Sequence, residues 1–239
     1  MRIVVTNDDG IDAGGIVTVA GELSRAGHDV VIVAPLTQAS GSGSSLGSEL
    51  DGRTVAAVSR TDHATGLRAI GVAAPPAYIA LAVSRGWLGL EPDLLVSGIN
   101  RGNNVGELSL FSGTLAAALT ASLYGLPALA ISCPATPTRY DEAASCLVDA
   151  LPGLVESLPA GCAYNLNYPD APLGDFAGWT RATLASSGER DLVALGDLNG
   201  VSVTLAAERS ATDPTSDIAL LRQRHGTFTP VSGRLETQR

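Results

Sequence analysis

The first 35 residues constrain the fold more than any other part of the chain. Residues 2–6 (Arg-Ile-Val-Val-Thr) are a short β-branched apolar run, which reads as a buried parallel strand. Residues 14–26 carry Ile16, Val19, Ala20 and Leu23 at helical spacing, and Gly27 follows as a C-terminal cap. Residues 28–34 are a second apolar run, closed by Pro35. Strand, helix and strand in so short a span make a βαβ unit with a right-handed crossover. A chain that starts this way is committed to a parallel sheet covered by helices.

The alternation continues. Weaker strands are expected near 53–59 and 67–71, a helix over 76–86, and a short strand over 93–96. A helix over 113–123 closes at Tyr124-Gly125, followed by a strand over 128–132, a helix over 140–154 and a strand over 163–167. After Pro169 the texture shifts to strand-like stretches near 179–184, 201–206 and 226–231, with a short helix near 215–223. The expectation is an α/β fold: a Rossmann-like, doubly wound, mostly parallel sheet over residues 1–170, with a C-terminal β-rich extension over 171–239.

Charge narrows the partners. The net charge is −9 and Lys/Arg are unclustered, which argues against a nucleic-acid polymer. Every basic side chain apart from histidine is Arg, so lysine-based phosphate loops and Schiff-base chemistry are excluded. Cys133, Cys146 and Cys162 are odd in number and widely spaced, as expected of free thiols in a reducing cytoplasm. Neither a signal peptide nor an 18-residue apolar stretch is seen, so no membrane partner is expected.

Three loops leave the carboxyl ends of strands, where α/β sheets bind ligands. The first is Asn7-Asp8-Asp9-Gly10. Adjacent carboxylates repel each other, which favours a cation, and hard divalent ions prefer carboxylate oxygens. An isolated Asp-Asp more often just ends a strand in an Asx-type turn. The second loop, after Ala34-Pro35, offers Ser40 and further hydroxyls at Ser42, Ser44 and Ser45. By composition it reads equally as a flexible connector. The third runs from Ser97-Gly98-Ile99-Asn100 through Asn104 and Gly106 to Ser112-Gly113-Thr114. A helix beginning there can cap itself with Ser112 or hold an anion on its free N–H groups.

Together these loops resemble one family, the SurE family of survival-protein phosphatases, or 5′/3′-nucleotidases. The resemblance opens at residues 2–10 and continues at Ser40-Gly41 and Ser45-Leu46. It is strongest at Ser97-Gly98-Ile99-Asn100, Gly102, Asn104, Gly106 and Ser112-Gly113-Thr114, and weaker matches reach Thr229-Pro230. It implies a phosphomonoesterase acting on nucleoside monophosphates or a related small phosphoester. It also implies one divalent ion per subunit, Mg²⁺ or Mn²⁺ (with Ca²⁺, Ni²⁺ or Co²⁺ as substitutes in vitro), held by Asp8, Asp9, Ser40 and Asn100. Asp8, Asp9 and Asn100 would then be catalytic, with Asn104, Ser112, Gly113 and Thr114 on the phosphate. An oligomerisation arm within 171–239 and a homodimer or homotetramer are implied as well.

The chain departs from the family pattern at Gly71-Val72-Ala73-Ala74-Pro75-Pro76-Ala77-Tyr78, where a Thr, an Asp and a Cys are missing, and at Thr120-Ala121, where Glu-Gly is usual. The stretch 170–215 is short. These changes bear on substrate choice and subunit contacts. The competing readings are a metal-dependent nucleotide-sugar transferase, a non-catalytic nucleotide-binding protein on the same fold, and, within the phosphatase reading, an aspartyl-phosphate intermediate.

Overall fold

A computed structural model describes residues 1–47, 52, 54–186, 192–197, 200–205 and 213–234. Parts of the extension, including 187–191 and 206–212, lie outside the described residues. Among the described residues eleven strands and five α-helices follow one another: β1 (Arg2–Thr6), α1 (Gly14–Arg25), β2 (Asp29–Pro35), β3 (Ala57–Thr61), β4 (Arg68–Val72), α2 (Pro76–Ser84), β5 (Leu94–Arg101), α3 (Gly113–Leu123), β6 (Ala128–Cys133), α4 (Tyr140–Ser157), β7 (Cys162–Asn167), β8 (Trp179–Arg181), β9 (Leu192–Asp197), β10 (Gly200–Leu205), α5 (Asp217–Arg222) and β11 (Gly226–Ser232).

Nine of the strands form one sheet in the order β3-β4-β2-β1-β5-β6-β7-β11-β8. The six from β4 to β7 are parallel, while β3 and β11 pair antiparallel with β4 and β7. Thus β8 and β11, both beyond residue 170, join the main sheet, whereas β9 and β10 make a separate antiparallel pair. The β9 segment, Leu-Val-Ala-Leu-Gly-Asp, lies outside the strand-like stretches expected after Pro169.

Side chains alternate across the sheet and give it two apolar faces. Ile3, Val5, Leu94 and Val96 pack with Ile16, Leu23 and Leu147 of α1 and α4. Val4 and Leu95 pack on the other face with Ile79, Val83, Leu115 and Ala118 of α2 and α3. The alanines of α3 let it lie close to both the sheet and α2. The structure is therefore doubly wound, as the βαβ start required.

Strand order reverses at β1, which has β2 on one side and β5 on the other. In such sheets the crevice at this reversal, beyond the carboxyl ends of the strands, is the ligand site. Asn7 to Gly10 leave β1 there. The neighbouring strand runs farther than the expected 93–96: Ser97 pairs with Ala130, and pairing resumes with Asn100 opposite Ser132. One extra residue on β5 forms a bulge, and such bulges re-aim side chains beside active sites. The bulge keeps Asn100 on a strand rather than a loose loop. A Cβ on Gly98 would sit 2.2 Å from the Ile131 carbonyl oxygen, so only glycine fits there.

Candidate active site

Asn7 closes the first turn on itself: its amide donates to the Gly10 carbonyl at 2.9 Å and its carbonyl accepts the Gly10 N–H at 3.2 Å. This Asx-type turn, the alternative use of the Asn-Asp-Asp-Gly string, is present. It is closed by the Asn7 side chain and leaves the side chains of both enclosed aspartates unused. Asp8 is 3% exposed. The Ala39 N–H donates to its carbonyl at 2.7 Å, which ties the serine-rich loop to the end of β1.

The Asp8 carboxylate faces the start of α3. Its Oδ1 accepts a hydrogen bond from the buried Thr114 hydroxyl. Beside its Oδ2 lies Gly113, where a Cβ would stand 2.9 Å from that oxygen, 2.8 Å from Asp8 Cβ and 2.8 Å from Ser42 Oγ. Glycine is therefore required for the helix to approach the carboxylate. Ser42 Oγ is buried without a hydrogen-bond partner among the described residues, as are the hydroxyls of Thr6, at the end of β1, and of Ser97, its partner on β5. Buried polar atoms are rarely left so.

Burial pushes the Asp8 carboxyl above the usual range and the Asp9 charge adds to this, against the Thr114 hydrogen bond. Asp9, half-buried, is also pushed up by burial, against its contact with Arg101. The Arg101 N–H donates to Asp9 Oδ2 at 3.3 Å. Two carboxylates short of solvation and side by side are what a cation relieves.

The remaining candidates fall into place differently. Asn100 donates its amide to the Gly102 carbonyl at 2.6 Å, leaving its own carbonyl oxygen as an acceptor. Ser40 is exposed and accepts from the Gln38 side chain at 3.0 Å, so among this loop's hydroxyls it is Ser42 that packs against Asp8 and Gly113. Asn104 is braced throughout: its side chain donates to Ser132 Oγ at 2.9 Å, its N–H donates to Asn167, and its carbonyl accepts from Asn165 and Asn167. Ser112 serves as the cap of α3, with its hydroxyl accepting the Leu115 N–H at 3.1 Å, while its own N–H is engaged by the Ser109 carbonyl. Of the expected phosphate donors, the Ser112 N–H is therefore already committed within the chain.

Two groups have roles that local sequence does not show. Thr114, expected on the phosphate, spends its hydroxyl on Asp8 across 106 residues of chain. Asp217, fully buried, accepts the Gly106 N–H at 2.8 Å, the Ala185 N–H at 3.0 Å and the Ile218 N–H at 2.8 Å, clamping the far end of the Asn-rich loop to α5. The altered segment 71–78 forms the β4–α2 junction, and Tyr78 lines a separate cavity of about 210 Å³ with Val55 and Trp87. Thr120 bonds back to Ala116 within α3. His225 meets Thr180, and Trp179 donates to the Cys146 carbonyl, both within the packing of the extension.

The survival protein SurE family model matches residues 3–191. The 5′-nucleotidase SurE of Stenotrophomonas maltophilia (strain R551-3) is 35% identical, over 97% of this chain and 89% of that protein. The 5′-nucleotidase SurE of Xanthomonas euvesicatoria pv. vesicatoria (strain 85-10) is 38% identical, over 75% of this chain and 68% of its own. The crystal structure of the SurE protein from Aquifex aeolicus superposes with a TM-score of 0.81 at 25% identity, covering 99% of this chain and 95% of that one. Matched in sequence and in three dimensions along nearly its whole length, with the paired carboxylates at the strand reversal, the chain belongs to the survival protein SurE family.

Proposed function

We infer that this protein is a metal-dependent phosphomonoesterase of the 5′-nucleotidase type, which converts a nucleoside monophosphate into nucleoside and phosphate. One observation carries the reading: the buried Asp8 carboxylate and the partnerless Ser42 hydroxyl converge on the first turn of α3, with Asp9 alongside. These are hard oxygen donors, and they fit Mg²⁺ or Mn²⁺. Asp8, Asp9 and Asn100 are the residues that would hold the ion, together with a serine of the loop after β2: the family resemblance implies Ser40, while Ser42 is the one packed beside Asp8 and Gly113. When bound, it supplies positive charge to the phosphoryl oxygens and acidifies a neighbouring water.

The chain's own groups do the rest. The Gly113 N–H, at the positive end of α3, holds a phosphoryl oxygen, while Thr114 keeps Asp8 in place. The braced Asn104 amide offers its second hydrogen to the same phosphate. A carboxylate of the Asp8–Asp9 pair accepts the proton of the attacking water. The water oxygen bonds to phosphorus as the bond to the nucleoside oxygen breaks, and that oxygen keeps the electron pair and takes a proton from solvent, to which the carboxylate returns the one it accepted.

The test is phosphate release from AMP with Mg²⁺ or Mn²⁺, with and without chelator. Asp8→Asn and Asp9→Asn are expected to abolish release while the melting curve stays that of a folded protein. Near-full activity in either variant would overturn the assignment.

The extension is assigned to subunit contacts. The β9–β10 pair stands outside the main sheet and Val203 on it is 58% exposed, and an isolated two-stranded sheet is marginal in water unless it packs on something. Light scattering should give a dimer or tetramer. Among the described residues no helix is long and apolar enough to cross a membrane, and a cytoplasmic location is proposed.

A further inference from the structure

A cavity of about 730 Å³ adjoins the site without being part of it. One wall is Gly102 and Asn103, directly after Asn100, together with Ala135. Arg101 stitches this wall to the carboxylates, with its N–H on Asp9 and its Nε–H on the Ala135 carbonyl at 3.4 Å. The opposite wall is α5 and the turn after it. Val105, Ile218 and Leu221 give the cavity an apolar floor, whereas Arg222 and Arg224 bring two guanidinium groups to its edge. The one carboxylate in the lining, Asp170, is already paired with Arg139 at 3.1 Å.

Arg224 is the only non-glycine among the described residues with a positive φ, at 66°. The residue after a helix commonly takes this left-handed form, and glycine takes it without strain. An arginine here is conformationally costly, and such outliers cluster where a side chain has work to do. Its Nη1 contacts Asp175 Oδ2 at 2.9 Å, but both side chains are half or more exposed, and a pair of that kind is weak.

We propose that this cavity receives the leaving group, and that Arg222 and Arg224 select one that carries a second anionic group beside its apolar ring. A nucleotide with an additional phosphate is then preferred to a simple nucleoside monophosphate. The proposal rests on the phosphomonoesterase reading above. It uses two features of the cavity at once, since the floor suits a base and sugar face while the paired guanidinium groups suit a phosphate.

The experiment compares kcat/KM for adenosine 3′,5′-bisphosphate, AMP and p-nitrophenyl phosphate in the wild type and in Arg224→Gly. Isothermal titration of adenosine 3′,5′-bisphosphate and AMP accompanies it, in chelator. The Gly variant relieves the left-handed backbone, so it is expected to fold at least as well. The wild type should favour the bisphosphate over AMP by about tenfold or more, the worth of one added charge-assisted contact, and Arg224→Gly should lose most of that ratio. Equal kcat/KM for the two nucleotides, or a ratio unchanged in Arg224→Gly, overturns the proposal. If not even p-nitrophenyl phosphate is turned over, the phosphatase reading has failed. The titration then decides the subsite: tighter bisphosphate binding that Arg224→Gly weakens supports it, and equal binding overturns it.

Discussion

Gly113→Ala probes the site most directly, because the added atom has nowhere to go. Its Cβ would lie 2.8 Å from Asp8 Cβ and from Ser42 Oγ and 2.9 Å from Asp8 Oδ2, where ordinary contact begins at 3.4 Å. Relief requires a displacement of at least 0.6 Å, the difference between 3.4 and 2.8 Å. The obstructing atoms belong to two loops, so rotating one side chain does not suffice. Overpacking of this kind costs about 1–3 kcal/mol, partly offset by the ~0.5–1 kcal/mol helix preference of alanine over glycine. The net loss of stability is small, but activity should respond more strongly, since a misplacement of about 1 Å can cost on the order of 10²-fold. We expect kcat/KM for AMP to fall about 10- to 100-fold, with a melting temperature within a few degrees of wild type. Gly153→Ala, in α4 with open space around its Cβ, is the matched control and should leave kcat/KM unchanged. A folded Gly113→Ala protein with kcat/KM within about twofold of wild type would refute the claim that helix and carboxylate meet here.

Thr114→Val removes the hydroxyl donor to Asp8 while keeping shape, and Mn²⁺ affinity by calorimetry should drop about 10- to 100-fold, the usual worth of an outer hydrogen bond to a ligand. An unchanged affinity would detach Thr114 from the ion. Asp217→Asn leaves the Gly106 N–H facing a donor, so stability should fall by about 1–3 kcal/mol, or some 2–4 °C in melting temperature per kcal/mol. A melting curve identical to wild type would contradict the clamp. Burial pushes the thiols of Cys133 and Cys146 up to about 11, so in native protein at pH 8 only Cys162 should react quickly with a thiol reagent, and all three after unfolding. Between the ordinary thiol value of 9.0 and about 11 the unfolded chain loses protons that the native chain keeps. Stability should therefore decline as pH rises through that window, as urea melts at pH 8 and pH 10 would show.

The order of elements was legible because each obeys a local period. The expected bounds of β1 and α3 match the structure to the residue, and the three loops do leave neighbouring strand ends. What stayed hidden depends on contacts between distant residues. The residues of β5 past Ser97 look like loop, since Gly98 and Asn100 are poor strand formers, and only pairing with β6 keeps them extended. Ser40 and Ser42 are chemically alike in sequence, and only the fold turns Ser42 toward Asp8. The carboxylate of Asp217 finds its work 111 residues away, at Gly106. Leu192–Asp197 lies outside the expected strands, and it declares itself one through its antiparallel pairing with Gly200–Leu205.

The bulge in β5 is a surplus residue that the sheet itself does not ask for. From Ser97 to Asn100 the strand takes three steps while β6 takes two, and Ser97 opposite Ala130 and Asn100 opposite Ser132 keep to one face on either side of the surplus. Within that surplus the Ile99 carbonyl abuts α1, where a Cβ on Gly15 would meet its oxygen at 2.0 Å. Removing one residue would leave both pairings in place and take that carbonyl off the helix. The glycine at the start of α1 is thus tied to the length of a strand far along the chain: shorten the strand, and the helix no longer needs it.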